Sequence, residues 1–269
     1  MSDIIIDILK KDAGFSYKKA PFRPRASGLY KACMRQLVLC TKLDVPVSSY
    51  VNFPQKITFE IGNAIHYWFQ NNSKLLGDIR CGFWKCGSCG KATSFSRVPK
   101  RGCRACGAGS ETWTYEEYEL DLKKPYYLTG HPDMFIELER GRFHVLEFKS
   151  INSTEFKALE APIIEHIWQL QTYMWACEQD SFKLGINIDP EEGYIMYISK
   201  AMDTPPIKVF TVKKDKFILK QIISKLKDYK NGVDRRKPPP YHPICEENSF
   251  NNYMAKSCPV KEQCLKFNV

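Results

Sequence analysis

The sequence predicts a mixed α/β core, and three observations support this fold class. Apolar residues recur at helical spacing between Ile163 and Trp175. Short apolar or alternating runs, typical of strands, occupy residues 118–122, 126–138, 143–148, 194–198 and 207–212. Along the chain these segments follow the order helix, strands, helix, strands, helix. That order favours helices packed on a sheet.

The helices and the N-terminal arm are predicted from local signals. Residues 1–26 are expected to form an arm, because Pro21 and Pro24 oppose regular structure. A first helix is predicted from Ser27, as its N-cap, to about Leu37. A second begins near residue 55, where apolar residues repeat at helical spacing; they are Ile57, Ile61, Ala64, Ile65, Trp68 and Phe69. Residues 163–179 and 213–230 are predicted to form two further amphipathic helices.

Composition and charge indicate a globular protein with an anionic partner. Hydrophobic residues make up 43% of the chain, and no apolar run approaches the roughly 18 residues of a membrane helix. With acids near the N-terminus where a signal peptide carries bases, we expect a cytoplasmic protein with no membrane partner. The net charge is +10, yet residues 111–192 hold 17 acidic and 7 basic side chains. A basic body around an acidic middle is suited to nucleic acid and a divalent metal.

Residues 81–110 differ from their surroundings and are predicted to be an inserted zinc ribbon. They contain six basic residues, no acidic residue and five of the eleven cysteines. Two Cys-x2-Cys pairs, separated by 13 residues, have the spacing of a structural zinc site; they are Cys86, Cys89, Cys103 and Cys106. The alternative is four unrelated reduced cysteines. The basic residues predict a surface for phosphates.

The candidate catalytic residues lie on two strands around a turn. Asp133 precedes one strand, and Glu147 and Lys149 share a face of the next, because alternate residues point the same way. Two converging carboxylates repel each other unless a cation lies between them. Mg²⁺ or Mn²⁺, which prefer oxygen ligands, would fill that role. The alternative is a β-hairpin with a surface ion pair.

These residues resemble the RecB-like PD-(D/E)XK exonucleases. Besides Asp133 and Glu147-x-Lys149, the resemblance rests on Gly62-x3-His66 upstream and on Gln169 and Tyr173 downstream. It implies a restriction-endonuclease-like core, with a central mixed sheet flanked by helices. It also implies a metal-dependent DNA exonuclease acting at free ends in recombination, repair or phage DNA processing, within a bacterium or a phage-infected host.

The resemblance further implies a role for each matching side chain. The metal ligands would be His66, Asp133, Glu147 and the carbonyl of Phe148. Lys149 would act on the water and the phosphate, while Gln169 and Tyr173 position the substrate. Recombination or replication proteins are possible partners. A non-catalytic nucleic-acid-binding or adaptor subunit that retains the nuclease core is the alternative function.

A second group of cysteines resembles the iron-sulfur branch of these nucleases, which includes the CRISPR-associated adaptation exonucleases. In that branch one early and three late cysteines hold a [4Fe-4S] cluster; the matching residues are Cys33, Cys245, Cys258 and Cys264. This chain departs from the family in having 12 residues between Cys245 and Cys258. Cys40 and His242 are therefore alternative ligands. A second zinc or free buried thiols also stay open.

The predicted organisation follows from these assignments. The arm comprises residues 1–26, the nuclease core residues 27–80 and 111–240, and the inserted ribbon residues 81–110. A cysteine-bearing C-terminal tail, residues 241–269, would close the iron-sulfur site with Cys33. Cleavage polarity, strand preference, endonuclease side activity and oligomeric state are not predicted by the sequence.

Overall fold

The computed structural model describes residues 23–45, 53–72, 75–120, 122–201, 203–235, 237–247 and 249–266. Most of the predicted N-terminal arm lies outside these ranges. The chain divides into two compact units. The smaller comprises residues 1–59, 122–129 and 220–269, and the larger comprises residues 60–121 and 130–219.

A mixed seven-stranded sheet forms the centre of the larger unit. Its strands are β1 (Arg80–Cys86), β2 (Ser96–Arg97), β3 (Trp113–Glu116), β4 (Met134–Glu139), β5 (Arg142–Ile151), β6 (Glu192–Ser199) and β7 (Ile207–Lys213). Six lie in the order β2-β1-β4-β5-β6-β7, and β3 pairs with β1. β5 and β6 are parallel, whereas the other neighbours are antiparallel. The predicted α/β class, with a central mixed sheet flanked by helices, is confirmed.

The crossover from β5 to β6 carries the helix that covers the sheet. It contains α4 (Ser153–Ala158), α5 (Ile164–Gln179) and α6 (Ser181–Leu184). Helix α5 matches its predicted range closely and buries ten consecutive residues, 168–177. It packs on β6 at Gly193, where an added Cβ would meet Met174 Sδ at 2.9 Å and Leu170 Cδ1 at 3.2 Å. The absence of a side chain at Gly193 therefore sets how closely α5 approaches the sheet.

We expect Gly193→Ala to destabilise the protein by about 1–3 kcal/mol, because overpacking forces a well-packed core apart. The backbone oxygen of Val145 would lie 3.2 Å from the added Cβ, so the new methyl group is crowded on that side as well. Chemical denaturation would measure the loss. Gly28→Ala is the matched control, since its Cβ would meet nothing within 4 Å. Equal stability of the two variants would contradict this account of the α5 packing.

Helix α2 (Phe53–Asn71) confirms the predicted second helix, and only part of its apolar stripe is buried. Phe69 is buried and Ile65 packs against the core cluster around Phe148. Ile57 and Ile61 are each 44% exposed and Trp68 is 54% exposed. Helical periodicity identifies an apolar stripe, but it does not say how many turns of that stripe meet a partner.

The first helix also differs from its prediction. A 3₁₀ helix spans Ala26–Gly28, and α1 (Met34–Lys42) begins seven residues after Ser27. Its N-cap is Cys33, whose thiol accepts a hydrogen bond from the Gln36 backbone N–H at 3.4 Å. Sulfur lies outside the usual N-cap set of hydroxyl and carboxamide side chains, so the true start has no ordinary signal.

The described part of residues 118–138 contains one strand rather than the two predicted runs. No strand covers residues 118–120, and residues 123–126 form the short helix α3 (Lys123–Tyr126). β4 begins only at Met134, after Pro132 interrupts the backbone hydrogen-bonding pattern. An apolar run alone predicts burial and does not distinguish a strand from a buried loop.

The smaller unit is built from helices. They are α1, α3, most of α7 (Lys216–Asp234), α8 (Pro243–Glu247), α9 (Tyr253–Lys256) and α10 (Lys261–Lys266). Lys225 on α7 donates hydrogen bonds to three carbonyls just before α1, those of Leu29, Tyr30 and Ala32. Within the described ranges, no helix combines the length and the apolar character needed to cross a bilayer.

Candidate active site

The pairing of β4 with β5 brings the two predicted carboxylates together. Met134 is opposite Leu146 in the antiparallel register, so Asp133 and Glu147 adjoin this pair on the two strands. The Asp133 carboxylate accepts a hydrogen bond from the backbone N–H of Phe148 at 2.7 Å. Both carboxylates are nearly inaccessible to solvent. The structure therefore places them in one buried site.

Glu147 is the centre of a hydrogen-bond network. Its Oε1 accepts from Lys149 Nζ at 2.6 Å and from Gln169 Nε2 at 2.5 Å. The same Gln169 amide also contacts the Tyr173 hydroxyl at 3.2 Å, one turn further along α5. Glu147 Oε2 is buried and has no hydrogen-bond partner among the described residues. One carboxylate oxygen is thus held in place while the other lacks a ligand.

The directions of the pKa shifts indicate that one of the two carboxylates ionises more readily than the other. Burial and the neighbouring Asp133 raise the pKa of Glu147 to about 8. Burial also raises the pKa of Asp133, but His66, Lys149 and the Phe148 N–H outweigh it and hold that pKa below its usual value. Burial lowers the pKa of Lys149, yet Glu147 and Asp133 more than compensate. Without a cation between them, the carboxylates favour a single shared negative charge.

His66 reaches this site from α2. Gly62, one turn earlier, lies against β5, where an added Cβ would be 3.3 Å from Ser150 Oγ. His66 Nδ1 is 3.4 Å from Asp133 Oδ1. Its ring meets Phe148 edge to face, with the ring centroids 5.7 Å apart. The glycine and the histidine of the predicted motif therefore act together, because the first allows the helix close to the strand that carries Glu147.

Two polar residues near the site were missed by sequence reasoning. The side-chain amide of Gln70 donates to the Asp133 carbonyl and to Glu117 Oε1, both at 2.9 Å. Burial raises the pKa of Glu117, and Asp133 raises it further. Gln70 lies four residues after His66, and this helical spacing was the available signal. Glu117 had no comparable signal, since it lies in a segment without regular structure.

The chemistry of this donor set fits a hard divalent cation. Asp133 and Glu147 supply carboxylate oxygens, His66 supplies an imidazole nitrogen, and the orphaned Glu147 Oε2 needs a partner. The positive charge would also remove the repulsion that raises the pKa of Glu147. Phe148 lies in the core between these ligands, and the role of its carbonyl as a further ligand stays a prediction.

The four ribbon cysteines form a second group able to hold a metal ion. The Sγ atoms of Cys86, Cys89, Cys103 and Cys106 all lie within 4.8 Å of one another. Each Cys-x2-Cys pair is followed by a glycine with positive φ, at 73° for Gly90 and 77° for Gly107. The N–H of each glycine bonds back to the carbonyl of the first cysteine in its pair, at 2.8 Å. The two Cys-x2-Cys segments therefore form the same kind of turn, which glycine permits without strain.

The four cysteines of the predicted cluster site also come together, in the smaller unit. They line one small cavity, and they are Cys33, Cys245, Cys258 and Cys264. Burial, together with the other three thiols, raises the pKa of Cys33 to about 11. His242 lines the same cavity, and its Nδ1 is buried without a hydrogen-bond partner among the described residues. Cys40 does not line this cavity; it lies in a hydrophobic cluster with Leu39 and Val260, against which Cys258 and Cys264 pack.

The chain belongs to the PD-(D/E)XK nuclease superfamily, whose sequence profile matches residues 28–265. This match supports a nuclease. Among solved structures, the chain is similar to an alkaline exonuclease from Laribacter hongkongensis, LHK-Exo, with 13% identity and a TM-score of 0.44. That comparison covers 80% of this chain and 90% of LHK-Exo.

Two further solved structures are similar at low identity. A phage related exonuclease from Haemophilus somnus 129PT has 11% identity and a TM-score of 0.41, over 80% of this chain and 94% of that one. The protein SSO0001 has 13% identity and a TM-score of 0.38, over 96% and 97% of the two chains. No match was found among curated proteins.

Proposed function

We propose that the protein is a Mg²⁺- or Mn²⁺-dependent DNA exonuclease that hydrolyses phosphodiester bonds from a free end. The observation that carries the proposal is the convergence of Asp133, Glu147 and Lys149, with Glu147 Oε2 buried and unpartnered. Superfamily membership supports a nuclease. The exonuclease assignment comes from the resemblance of His66 and of the Gln169 and Tyr173 pair to RecB-like motifs.

The proposed metal ligands are Asp133, Glu147, His66 and the Phe148 carbonyl. A divalent ion bound there supplies an activated water and neutralises charge on the scissile phosphate. Lys149 already donates to Glu147 Oε1, so its ammonium is held beside the carboxylate and can contact the attacking water and a phosphate oxygen. Gln169 holds the same oxygen, and Tyr173 in turn holds Gln169. These contacts fix the carboxylate that must face the metal.

The direct test is to incubate the purified protein with Mg²⁺ or Mn²⁺ and end-labelled DNA, single-stranded and double-stranded. We expect stepwise release of short products from linear DNA and no release when metal is chelated. Covalently closed circular DNA of the same sequence is the control for free-end dependence. Complete resistance of linear DNA in both metals would reject the proposed function, whereas equal cleavage of circles would reject only the exonuclease mode.

Zinc is the proposed metal of the ribbon. Four thiolates at Zn–S distances of about 2.3 Å in a tetrahedron lie about 3.8 Å from one another. The pairs Cys86–Cys106 and Cys89–Cys103 have Sγ–Sγ distances of 3.7 Å. Backbone N–H groups, led by that of Cys89, lower the pKa of Cys86 to about 6, which favours the thiolate that binds metal. Four thiolates leave no open position, so this zinc is structural.

The ribbon is also proposed to contact DNA through its basic side chains. Neutralising Lys100, Arg101 and Arg104 together should weaken DNA binding and flatten its salt dependence by roughly two to three units of log-log slope. Lys100 is paired with Asp78 at 2.7 Å, so its contribution to the change in salt dependence should be the smallest of the three. Cleavage of saturating substrate should change little, because Glu147 and Lys149 are untouched.

The matched control for the ribbon removes the same number of charges from α7. Lys216, Lys220 and Lys227 are exposed, and their neutralisation changes the net charge equally. Fluorescence anisotropy titrations at several salt concentrations measure both slopes. An unaltered slope in the ribbon variant, or equal losses in both variants, would rule out a specific ribbon contact with DNA.

A [4Fe-4S] cluster is the proposed occupant of the cysteine cavity in the smaller unit. Its ligands would be Cys33, Cys245, Cys258 and Cys264, which line that cavity. Cys245 is favoured over Cys40, since Cys40 does not line it. Buried Arg35 donates from Nε to Cys264 Sγ at 3.1 Å and so offsets thiolate charge. Such a cluster would fasten α1 to the C-terminal helices.

A further inference from the structure

His166 lies beside the proposed catalytic residues, although no recognised motif includes it. It is on the first turn of α5, three residues before Gln169 and seven before Tyr173. This spacing puts the three side chains on one face of the helix. The face is the one that contacts Glu147, because Gln169 donates to that carboxylate. The side chain of His166 is half-buried.

Strand β6 holds His166 on the same side of the sheet as Lys149. Tyr197 is the direct partner of Lys149 in the parallel β5–β6 register, so their side chains leave the same face of the sheet. Tyr197 is fully buried, and its hydroxyl lies 2.8 Å from His166 Nδ1. The imidazole therefore sits above Tyr197 on the side of the sheet from which Lys149 projects.

The partners of the Tyr197 hydroxyl favour one tautomer of His166. The backbone N–H of Ile163 can only donate, so the Tyr197 oxygen accepts from it, at 2.9 Å. A phenol oxygen can accept a second hydrogen bond, but among the described residues His166 Nδ1 is the one acceptor beside the Tyr197 hydroxyl proton, so Nδ1 is assigned as the acceptor. In a neutral imidazole with Nδ1 accepting, Nε2 carries the hydrogen. His166 Nε2 has no hydrogen-bond partner within the described part of the chain.

The surroundings keep this imidazole neutral. Burial, followed by the positive charge of Lys149, lowers the pKa of His166 to about 4, and Glu165 opposes this only in part. The group next to Lys149 is thus a neutral N–H donor and not a proton donor. A neutral donor and an ammonium side by side require a ligand that only accepts hydrogen bonds and carries negative charge. A phosphodiester oxygen meets both requirements.

We propose that His166 is a further catalytic residue, whose Nε2–H donates to a non-bridging oxygen of the scissile phosphodiester beside Lys149. The inference rests on the proposed nuclease function and extends it by one substrate contact. No proton moves in this contact. The hydrogen stays on the nitrogen, and the N–H group stabilises the charge that develops on the phosphate oxygens. Tyr197 acts as a positioning residue, since it sets the tautomer of His166.

The test compares His166→Ala and His166→Gln at saturating DNA and Mn²⁺. We expect the alanine variant to lose about 10²-fold in kcat, as for the removal of one preorganised donor, with KM little changed. The glutamine variant should recover most of the rate, because its side-chain amide offers an N–H in a similar direction. Ile164→Ala, an exposed neighbour on the same helix, is the matched control. We expect it to match the wild type.

A phosphorothioate substrate gives a readout that a structural role would not change. Sulfur accepts hydrogen bonds weakly, so one diastereomer at the scissile position should slow the wild type. In His166→Ala the same diastereomer should cause no additional loss, because the donor is already absent. Tyr197→Phe should reduce kcat less than His166→Ala does. It keeps the imidazole and removes only the hydroxyl that selects its tautomer.

The outcomes separate this inference from the proposed function. A wild-type protein that cleaves no DNA would reject the proposed function itself. If the wild type cleaves, a His166→Ala variant with an unchanged kcat overturns the role of His166. So does a full phosphorothioate effect in that variant, or a His166→Gln variant as slow as alanine. Should His166→Ala fail to fold, the glutamine variant and the wild-type phosphorothioate series carry the test.

Discussion

Glu147→Ala and Lys149→Ala are each expected to abolish DNA cleavage, with a loss of about 10³-fold or more. Glu147 supplies the buried Oε2 that lacks a partner, and without it the proposed metal loses a central ligand. Lys149 supplies the ammonium that is held 2.6 Å from the same carboxylate. Its loss removes both a contact to phosphate and the charge that balances two carboxylates.

DNA binding should survive both substitutions. Affinity for DNA comes mainly from many basic side chains distributed over the surface, and the chain has a net charge of +10. The measurements are single-turnover cleavage in Mn²⁺ and a binding titration in the absence of metal. Glu160→Gln and Lys220→Ala, both exposed, are the matched controls for a lost acid and a lost base.

The results also decide between an enzyme and a retained but inactive core. Cleavage by either variant at the wild-type rate would show that the carboxylate and the lysine are not the catalytic groups. A wild type that binds DNA tightly and cleaves none in either metal would support the non-catalytic adaptor function. In that case Glu147→Ala should leave binding unchanged, since the carboxylate would have no chemistry to perform.

The parts of the site that the sequence predicts are those fixed by local periodicity. Glu147 and Lys149 are two residues apart on one strand, so any strand conformation puts them on one face. Gln169 and Tyr173 are four apart on α5, so a helical conformation puts them on one face. The convergence of Asp133 with Glu147 depended on one short turn between β4 and β5, and Gly141 at φ 77° forms it. Short-range geometry was therefore sufficient.

The parts that escaped prediction depend on contacts between distant segments. His166 is adjacent to Lys149 only because β6 lies parallel to β5 in a register that pairs Lys149 with Tyr197. Glu117 meets Gln70 through a segment without regular structure. The apolar stripe on α2 was correctly found, but how much of it is buried was not predicted, because periodicity does not identify a packing partner. None of these facts is encoded within a single helix or strand.

The second large effect is expected at the cysteine cavity. Protein purified without oxygen should be brown, with broad absorbance near ~400 nm and about four iron atoms per chain. Cys33→Ala should bleach it, because Cys33 lines the cavity from α1 while the other three thiols come from the C-terminal region. Loss of the cluster should also lower thermal stability substantially, since it would join segments more than 200 residues apart in the sequence.

Cys33 has a second role that the experiment must separate from cluster binding. Its thiol caps α1 by accepting from the Gln36 N–H, and loss of a cap alone destabilises a helix by about 1 kcal/mol. Cys33→Ser retains an acceptor at this position but lacks the soft ligand. Both variants should therefore be colourless, whereas the serine variant should be the more stable of the two apoproteins.

Metal analysis across a panel of variants distinguishes the two proposed metal sites. Cys89→Ser, in the ribbon, should lose zinc and keep the brown colour, while Cys33→Ser should lose iron and keep zinc. If Cys40→Ser or His242→Ala removes the brown colour and Cys245→Ser does not, the fourth ligand is Cys40 or His242 and not Cys245. About two zinc ions and no iron in the anaerobic wild type would overturn the iron-sulfur assignment and establish a second zinc. The cavity thiolates would then hold that zinc, because burial and mutual repulsion disfavour leaving Cys33, Cys245 and Cys258 charged without a cation.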